Sequence, residues 1–264
     1  MNKKNELINH LKKISSKDNK LIKEIKKLEQ KKYRKEQNSF IIEGKKLVKE
    51  AIDSKIKIKT LFIKEGDEFD FGSLSYDLVY LVPENIMSYI STTENPPPVL
   101  AIAEIFERKK ELKDCNFVLL LDDIQDPGNL GTIIRTSEAT GVDLLICSEN
   151  TVDFFNPKVI RGSMGSAFRQ NFLYTKNLEN TIKDLIKNNF DIIITSSYAK
   201  ENYFSIKFDK KTALFVGNES KGVSKELLSR FNSVKIPMFG KVESLNVSIA
   251  TSILLYEISK YIRK

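Results

Sequence analysis

The chain has 264 residues, 41% of them hydrophobic, with 43 Lys and Arg against 35 Asp and Glu and a formal net charge of +8. Its mean hydropathy is −0.29. This is enough apolar material for two modest domains or one large one, and it excludes disorder throughout. No uncharged apolar run approaches the ~18 residues of a bilayer span, and Met1 to Lys13 lacks an apolar signal-peptide core. A cytoplasmic protein with no membrane attachment is expected.

Residues 1–14 are rich in Lys and Asn and show no core face, which predicts a basic extension that frays. From Asp18 to Arg34, Leu21, Ile22, Ile25 and Leu28 recur at helical spacing, with lysines over the opposite face. Phe40–Ile42 then reads as a strand, Gly44–Ile52 as a helix, and Thr60–Ile63 and Leu78–Val82 as strands. Pro83 opens a helix through Tyr89, and a turn-rich stretch to Pro98 precedes the strand Val99–Phe106. These elements predict a small α/β domain over residues 15–106. The charged residues 107–114 predict a linker.

From residue 115 to 264 apolar strands alternate with helical stretches: Phe117–Asp122, Val142–Ile146, Asn171–Tyr174, Asp191–Thr195, Ala213–Val216 and Val234–Ile236. Val118, Leu119, Leu120 and Leu121 are apolar on both strand faces, so a mostly parallel sheet with helices on both sides is expected, with ligands at the carboxyl ends of its strands.

The charge is unevenly placed. Residues 1–60 carry 19 Lys and Arg against 8 Asp and Glu, and residues 61–264 carry 24 against 27. Such asymmetry points to a polyanion, because cations that neutralise phosphates release condensed counterions; a solvated lysine-rich face is the other reading. Cys115 and Cys147 form no C-x-x-C pair, and His10 is the sole histidine, so a disulfide framework, a histidine zinc site and a Ser-His-Asp triad all lack candidates.

Three polar turns follow strands of the second domain. The first runs from Asp122 through Pro127, Gly128 and Asn129 to Arg135, where a helix with Ile133 and Ile134 on its core face begins. The second, Gly217 to Ser224, has glycines at P-loop spacing, but Val223 stands where that motif needs lysine, and no segment spells G-x-G-x-x-G. It remains a glycine turn with Glu219 on its rim and Ser224 as a helix cap. The third, Ile236 to Ala250, leaves a strand at Pro237 and enters a long C-terminal helix near Ser244, whose free N–H groups are ready donors. Taken singly, each is also an ordinary capped turn.

In order, the stretches "DPGNLGTIIRTSEATGVD", "FVGNESKGVS" and "IPMFGKVESLNVSIA" resemble the three signature motifs of the SpoU/TrmH-type RNA 2′-O-ribose methyltransferases of the SPOUT superfamily. "RGSMGSAF" at residues 161–168 is similar to a further family segment. "NKLIKEIKKLEQKKYRKEQNSFIIEGKKLV" and "YISTTENPPPVLAIAE" resemble the start and end of the family's RNA-binding domain. The resemblance covers residues 15–263. It implies an S-adenosylmethionine-binding domain with a C-terminal trefoil knot, a homodimer, and methyl transfer to a ribose 2′-hydroxyl.

By the same resemblance, Asn129, Arg135, Glu219, Ser244 and Asn246 stand at catalytic positions, and Thr195, Gly217, Ile236, Met238 and Leu245 surround the cofactor. No metal is implied, since a sulfonium methyl donor needs only alignment and proton removal. A guanidinium is a poor base in water, so two roles stay open for Arg135: losing a proton in a special site, or stabilising the alkoxide while another group takes the proton.

Phosphate contacts are expected from Lys20, Lys23, Lys26, Lys27, Lys31, Lys32 and Arg34. Large-subunit ribosomal RNA is the expected substrate. Transfer RNA, an inactive RNA-binding assembly factor, and transfer to a base nitrogen are the alternatives. A chain lacking residues 1–106 is expected to keep its fold and lose most RNA methylation.

Overall fold

The computed structural model describes residues 11–70, 74–218 and 222–263. Two compact units emerge, one formed by the chain up to Phe106 together with Phe155–Phe168, the other by Glu107–Phe154 and Arg169–Lys264.

The first unit holds a five-stranded mixed sheet in the order β1-β4-β3-β5-β2, made of β1 (Lys12–Lys13), β2 (Ser39–Glu43), β3 (Ile58–Lys64), β4 (Val79–Val82) and β5 (Val99–Glu104). The helices α1 (Lys20–Lys27), α2 (Lys31–Gln37), α3 (Lys45–Asp53) and α4 (Glu84–Ile90) accompany it. Ile22 and Ile25 of α1 share a core with Ile86, Met87 and Ile90 of α4 over Ile41, Phe62 and Leu100 of the sheet. That core draws the apolar stripe of α1 inward and leaves its lysines to solvent.

Two local expectations change here. The end of the basic extension does not fray: Leu11 and Ile14 are buried, and Lys12 and Lys13 pair in parallel with Tyr80 and Leu81. The single helix expected from Asp18 to Arg34 is two helices broken at Leu28–Gln30. Arg34 holds the break, because its Nη1 donates to the carbonyl oxygens of Leu28 and Glu29, each at 2.8 Å. Those acceptors lie just beyond the end of α1, where helical bonding runs out and a cation is favoured.

Residues 155–168, read with the second domain on sequence, pack with the first unit. Their helix α6 (Pro157–Gly162) lies against β2. Phe155 meets Phe40 and Phe106 at ring-centroid distances of 4.9 and 5.2 Å. Glu43 accepts hydrogen bonds from Ser91 Oγ (2.7 Å), the Thr92 N–H (2.8 Å), the Thr92 hydroxyl and Arg161 Nη1 (3.0 Å). A carboxylate this buried is tolerated because every one of these donors faces it.

The second unit is a seven-stranded parallel sheet in the order β10-β12-β9-β11-β6-β7-β8. Its strands are β6 (Phe117–Leu121), β7 (Leu144–Ser148), β8 (Phe172–Thr175), β9 (Asp191–Thr195), β10 (Glu201–Asn202), β11 (Thr212–Val216) and β12 (Asn232–Lys235). Val118, Leu120, Ile146, Ile194 and Phe215 bury one face under Ile182 and Leu185 of α7 (Leu178–Lys187) and Leu227 of α8 (Lys225–Arg230). Leu119, Leu121 and Leu214 point the other way and are equally buried, as a doubly covered parallel sheet requires. The helices α5 (Pro127–Thr140) and α9 (Val247–Ile262) pack together, with Thr136 Oγ1 and Ser252 Oγ 2.9 Å apart. β11 enters the slot between β6 and β9, so the carboxyl ends of β6, β11, β9 and β12 become neighbours although they are remote in sequence.

Candidate active site

The loop after β6 turns sharply at Asp123, whose φ is +57° and whose N–H donates to Ser148 Oγ at 2.8 Å. Asp126 caps α5 by accepting the Asn129 N–H at 2.8 Å, with Pro127 preset for the first helical position. Asn129 therefore sits in the opening turn of α5 beside a strand end. The loop after β11 begins at Gly217, where a Cβ would lie 2.5 Å from the Gly222 carbonyl oxygen. Asn218 and Gly222 bridge across the loop, and the Gly222 N–H donates to the Asn218 carbonyl at 2.9 Å. Only glycine permits so close a return of the backbone.

The loop after β12 ends at Asn246, which caps α9 at two residues beyond the expected start near Ser244. Asn246 Oδ1 accepts from the Ser248 N–H at 2.9 Å and the Ser248 hydroxyl at 2.6 Å. Its Nδ2 donates to Asn129 Oδ1 at 2.9 Å. One amide thus caps a helix with its oxygen and ties the first segment to the third with its nitrogen.

The ends of β9, β11 and β12 frame a cavity of about 390 Å³, within the ~300–1,000 Å³ usual for small-molecule sites. Thr195, Gly217, Ile236, Met238 and Leu245, the five expected cofactor positions, all line it, as do Ser244 and Asn246. A neighbouring hollow of about 550 Å³ shares Ser196, Tyr198 and Leu228 with it. The smaller cavity is the candidate site, because the second and third polar turns line it at the carboxyl ends of adjacent parallel strands, while Asn129 of the first turn is not in its wall and reaches it through the bond to Asn246. Its wall combines apolar side chains with backbone groups of irregular loops, which suits a ligand with a flat ring and polar edges. Burial of the Cys147 and Cys115 thiols pushes them up to about 12 and about 11, so neither is a nucleophile for this site.

Arg135 lies further along α5 with an exposed side chain, and among the described residues its guanidinium enters no hydrogen bond or ion pair. Glu219 lies outside the described residues. Of the expected RNA contacts, Lys20, Lys23, Lys27, Lys31 and Lys32 are exposed and Lys26 is half-buried. Lys23 meets Asp18 at 2.7 Å and Lys26 meets Glu29 at 2.5 Å. Exposed pairs of this kind are weak enough to be exchanged for phosphate. Arg34 is a correction, since it is 2% exposed and spends its guanidinium on backbone carbonyls.

Sequence reasoning passed over Asn218 as a link. Its Nδ2 donates to the Asp123 carbonyl at 2.9 Å and to Asp123 Oδ2 at 3.2 Å, joining the first segment to the second. Both residues stood in the polar turns after β6 and β11, and a carboxamide opposite a positive-φ aspartate leaves no periodic signal.

A parallel sheet with a ligand-sized cavity at the ends of its inserted strand, lined by irregular loops and carboxamides, is the arrangement of an α/β enzyme with a small-molecule site. Residues 116–256 match the SpoU rRNA methylase family, and residues 19–101 match an MRM3-like substrate-binding domain. The chain belongs to the SpoU rRNA methylase family. It is 35% identical over 226 residues to the 23S rRNA (guanosine(2553)-2′-O)-methyltransferase RlmP of Bacillus subtilis, a match covering 85% of this chain and 90% of that one. Among solved structures, the AdoMet-bound rRNA methyltransferase of Sinorhizobium meliloti is similar at 33% identity with a TM-score of 0.81, over 95% of this chain and 98% of its own. A solved RNA 2′-O ribose methyltransferase is similar at 28% identity and the same TM-score, over 94% of this chain and 98% of its own.

Proposed function

We propose that this methyltransferase uses S-adenosylmethionine to methylate a ribose 2′-hydroxyl of large-subunit ribosomal RNA in the cytoplasm. The observation that carries the reading is the Asn246–Asn129 hydrogen bond at the edge of a cavity lined by all five expected cofactor positions. The residues that would hold the donor are Thr195, Gly217, Ile236, Met238 and Leu245. When bound, S-adenosylmethionine supplies a methyl group on a sulfonium centre, open to in-line displacement by oxygen.

The chain's own work is alignment and charge. Asn129 and Asn246 fix each other, so a ribose meets polar groups that need no rearrangement. Arg135, unengaged among the described residues, is available to a phosphate or to the oxygen that loses its proton. Glu219 and Ser244 complete the polar set that the resemblance implies. Lys20, Lys23, Lys26, Lys27, Lys31 and Lys32 position RNA through phosphates, which assigns residues 15–106 to substrate binding and 115–264 to methyl transfer. A trefoil knot in the C-terminal chain and a homodimer belong to the same reading. For the dimer, Ile249 and Tyr256 stand exposed one heptad apart on α9, a stripe suited to a second copy.

The test is calorimetric titration of the purified protein with S-adenosylmethionine, followed by ribose-methylation mapping of total RNA from a strain lacking the protein. Uptake of the donor and one new 2′-O-methylated nucleotide in large-subunit RNA are expected. A folded protein that takes up no donor, with or without RNA, would overturn the reading. Transfer only to transfer RNA would replace the substrate and leave the chemistry.

A further inference from the structure

Two aromatic side chains stand almost wholly in solvent: Tyr198 is 91% and Phe239 93% exposed, while no other exposed large hydrophobic residue among those described passes 61%. Both lie at the candidate site. Tyr198 is on the cavity wall, in the loop after β9, and Phe239 directly follows the wall residue Met238, in the loop after β12. Each ring forgoes a large area of burial, and two separate loops do so at one cavity.

The surroundings indicate what covers them. Lys200 and Lys241, each two residues from one of the rings, are exposed, and among the described residues neither enters an ion pair. Flat π surfaces beside free cations match an unstacked nucleobase and its phosphate. The stripe suited to a second copy is elsewhere and different in kind: Ile249 and Tyr256 lie on one regular helix and carry no charge. A single-stranded loop or bulge presents its ribose hydroxyls and splays its bases together, and bases unstacked in that way need new stacking partners.

We propose that Tyr198 and Phe239 stack on nucleobases of the RNA strand whose ribose is methylated, and so help to choose the nucleotide. This rests on the ribose-methylation reading above. The rings act on the substrate's bases, and neither is among the five expected donor positions.

The sequence contains no tryptophan, so Tyr198→Trp and Phe239→Trp in the full-length protein are single-tryptophan reporters. The probe is unmethylated large-subunit ribosomal RNA from a strain lacking the protein. Saturating RNA is expected to quench the emission of both reporters, and Tyr198→Ala and Phe239→Ala to lower kcat/KM for RNA about tenfold or more. Tyr198→Phe is expected to retain activity, and donor uptake to stay unchanged in all variants. Emission indifferent to bound RNA, or alanine variants within twofold of the natural protein, would overturn the proposal. So would loss of donor uptake in Tyr198→Ala, which assigns the ring to the donor, or dissociation of a dimer by Phe239→Ala, which assigns it to a second copy. Absence of ribose methylation by the natural protein is read separately and strikes the functional reading, while the quenching still decides the stacking.

Discussion

Asn246 Nδ2 donates to Asn129 Oδ1 across 2.9 Å, although 117 positions separate the two residues. Because Asn246 also caps α9 through its oxygen, its two ends can be separated by mutation. Asn246→Ser keeps a good cap but is too short to reach Asn129, so stability should stay within about 0.5 kcal/mol while kcat/KM falls on the order of 100-fold. Asn129→Ala should cost a similar factor, and the double variant little more than either single one, because the residues act as a unit. Methylation kinetics beside thermal melts check this. Fully additive losses would show that the bond does not couple the two.

Gly217 and Gly222 face each other across one loop for different reasons. A Cβ at Gly217 would collide with the Gly222 backbone, whereas Gly222 has open space and only a positive φ of 64°. Gly217→Ala should therefore spread the loop and abolish donor uptake. Gly222→Ala should cost about 1 kcal/mol of backbone strain and weaken uptake modestly. Calorimetric titration of both variants distinguishes them, and equal affinities would refute the steric account.

Arg34 and Lys27 are neighbours in charge and opposites in role. Arg34→Ala removes a buried guanidinium from two carbonyl oxygens and should destabilise the first unit by about 2–4 kcal/mol. Lys27→Ala should leave stability unchanged and reduce the slope of log affinity against log salt by about 1. Denaturant unfolding and RNA binding across a salt series supply the two measurements.

Asp143 sets an acid limit on the second unit. Its burial works against ionisation, but the Lys110 ammonium at 2.6 Å and the N–H groups of Asn116 and Phe117 together outweigh it and hold the carboxyl below the usual carboxylate range. A group depressed in the folded state contributes its full stability above its unfolded value, near 3.9, and loses it as the pH falls through the folded value. Asp143→Asn should be less stable at neutral pH and show a shallower loss on acidification below about pH 4. Urea midpoints at pH 7, 4 and 3 test the sign.

Removing residues 1–106 should now do more than abolish RNA binding. The segment 155–168 would lose Phe40, Glu43 and Phe106, which pack against Phe155 or bond Arg161. Such a chain should bind a hydrophobic dye and melt at a lower temperature than the full protein. An unchanged melting temperature without dye binding would restore the simpler expectation that the second unit stands alone.

The parallel sheet and the cofactor wall were legible because Thr195 ends β9 and Gly217 and Ile236 directly follow β11 and β12, and a doubly covered sheet fixes where its ligands lie. The order of the strands was not legible, since nothing near Thr212 says that β11 enters between β6 and β9. Arg34 was misjudged because a cation in a lysine-rich run has the same pattern whether it faces solvent or a helix end. The packing of Phe155 on Phe40 is a contact over more than 100 residues, and periodicity carries no information about such partners.

Phe155–Phe168 also bears on how such a molecule can be inherited. The backbone passes between the two units three times, after Phe106, Phe154 and Phe168. A single recombination joint therefore cannot transplant the substrate-binding half onto a foreign catalytic half without stranding fourteen residues, Arg161 among them, on the wrong side. A graft that respects the fold would carry the insert along with its recipient, so the two halves are better regarded as one heritable cassette than as interchangeable modules.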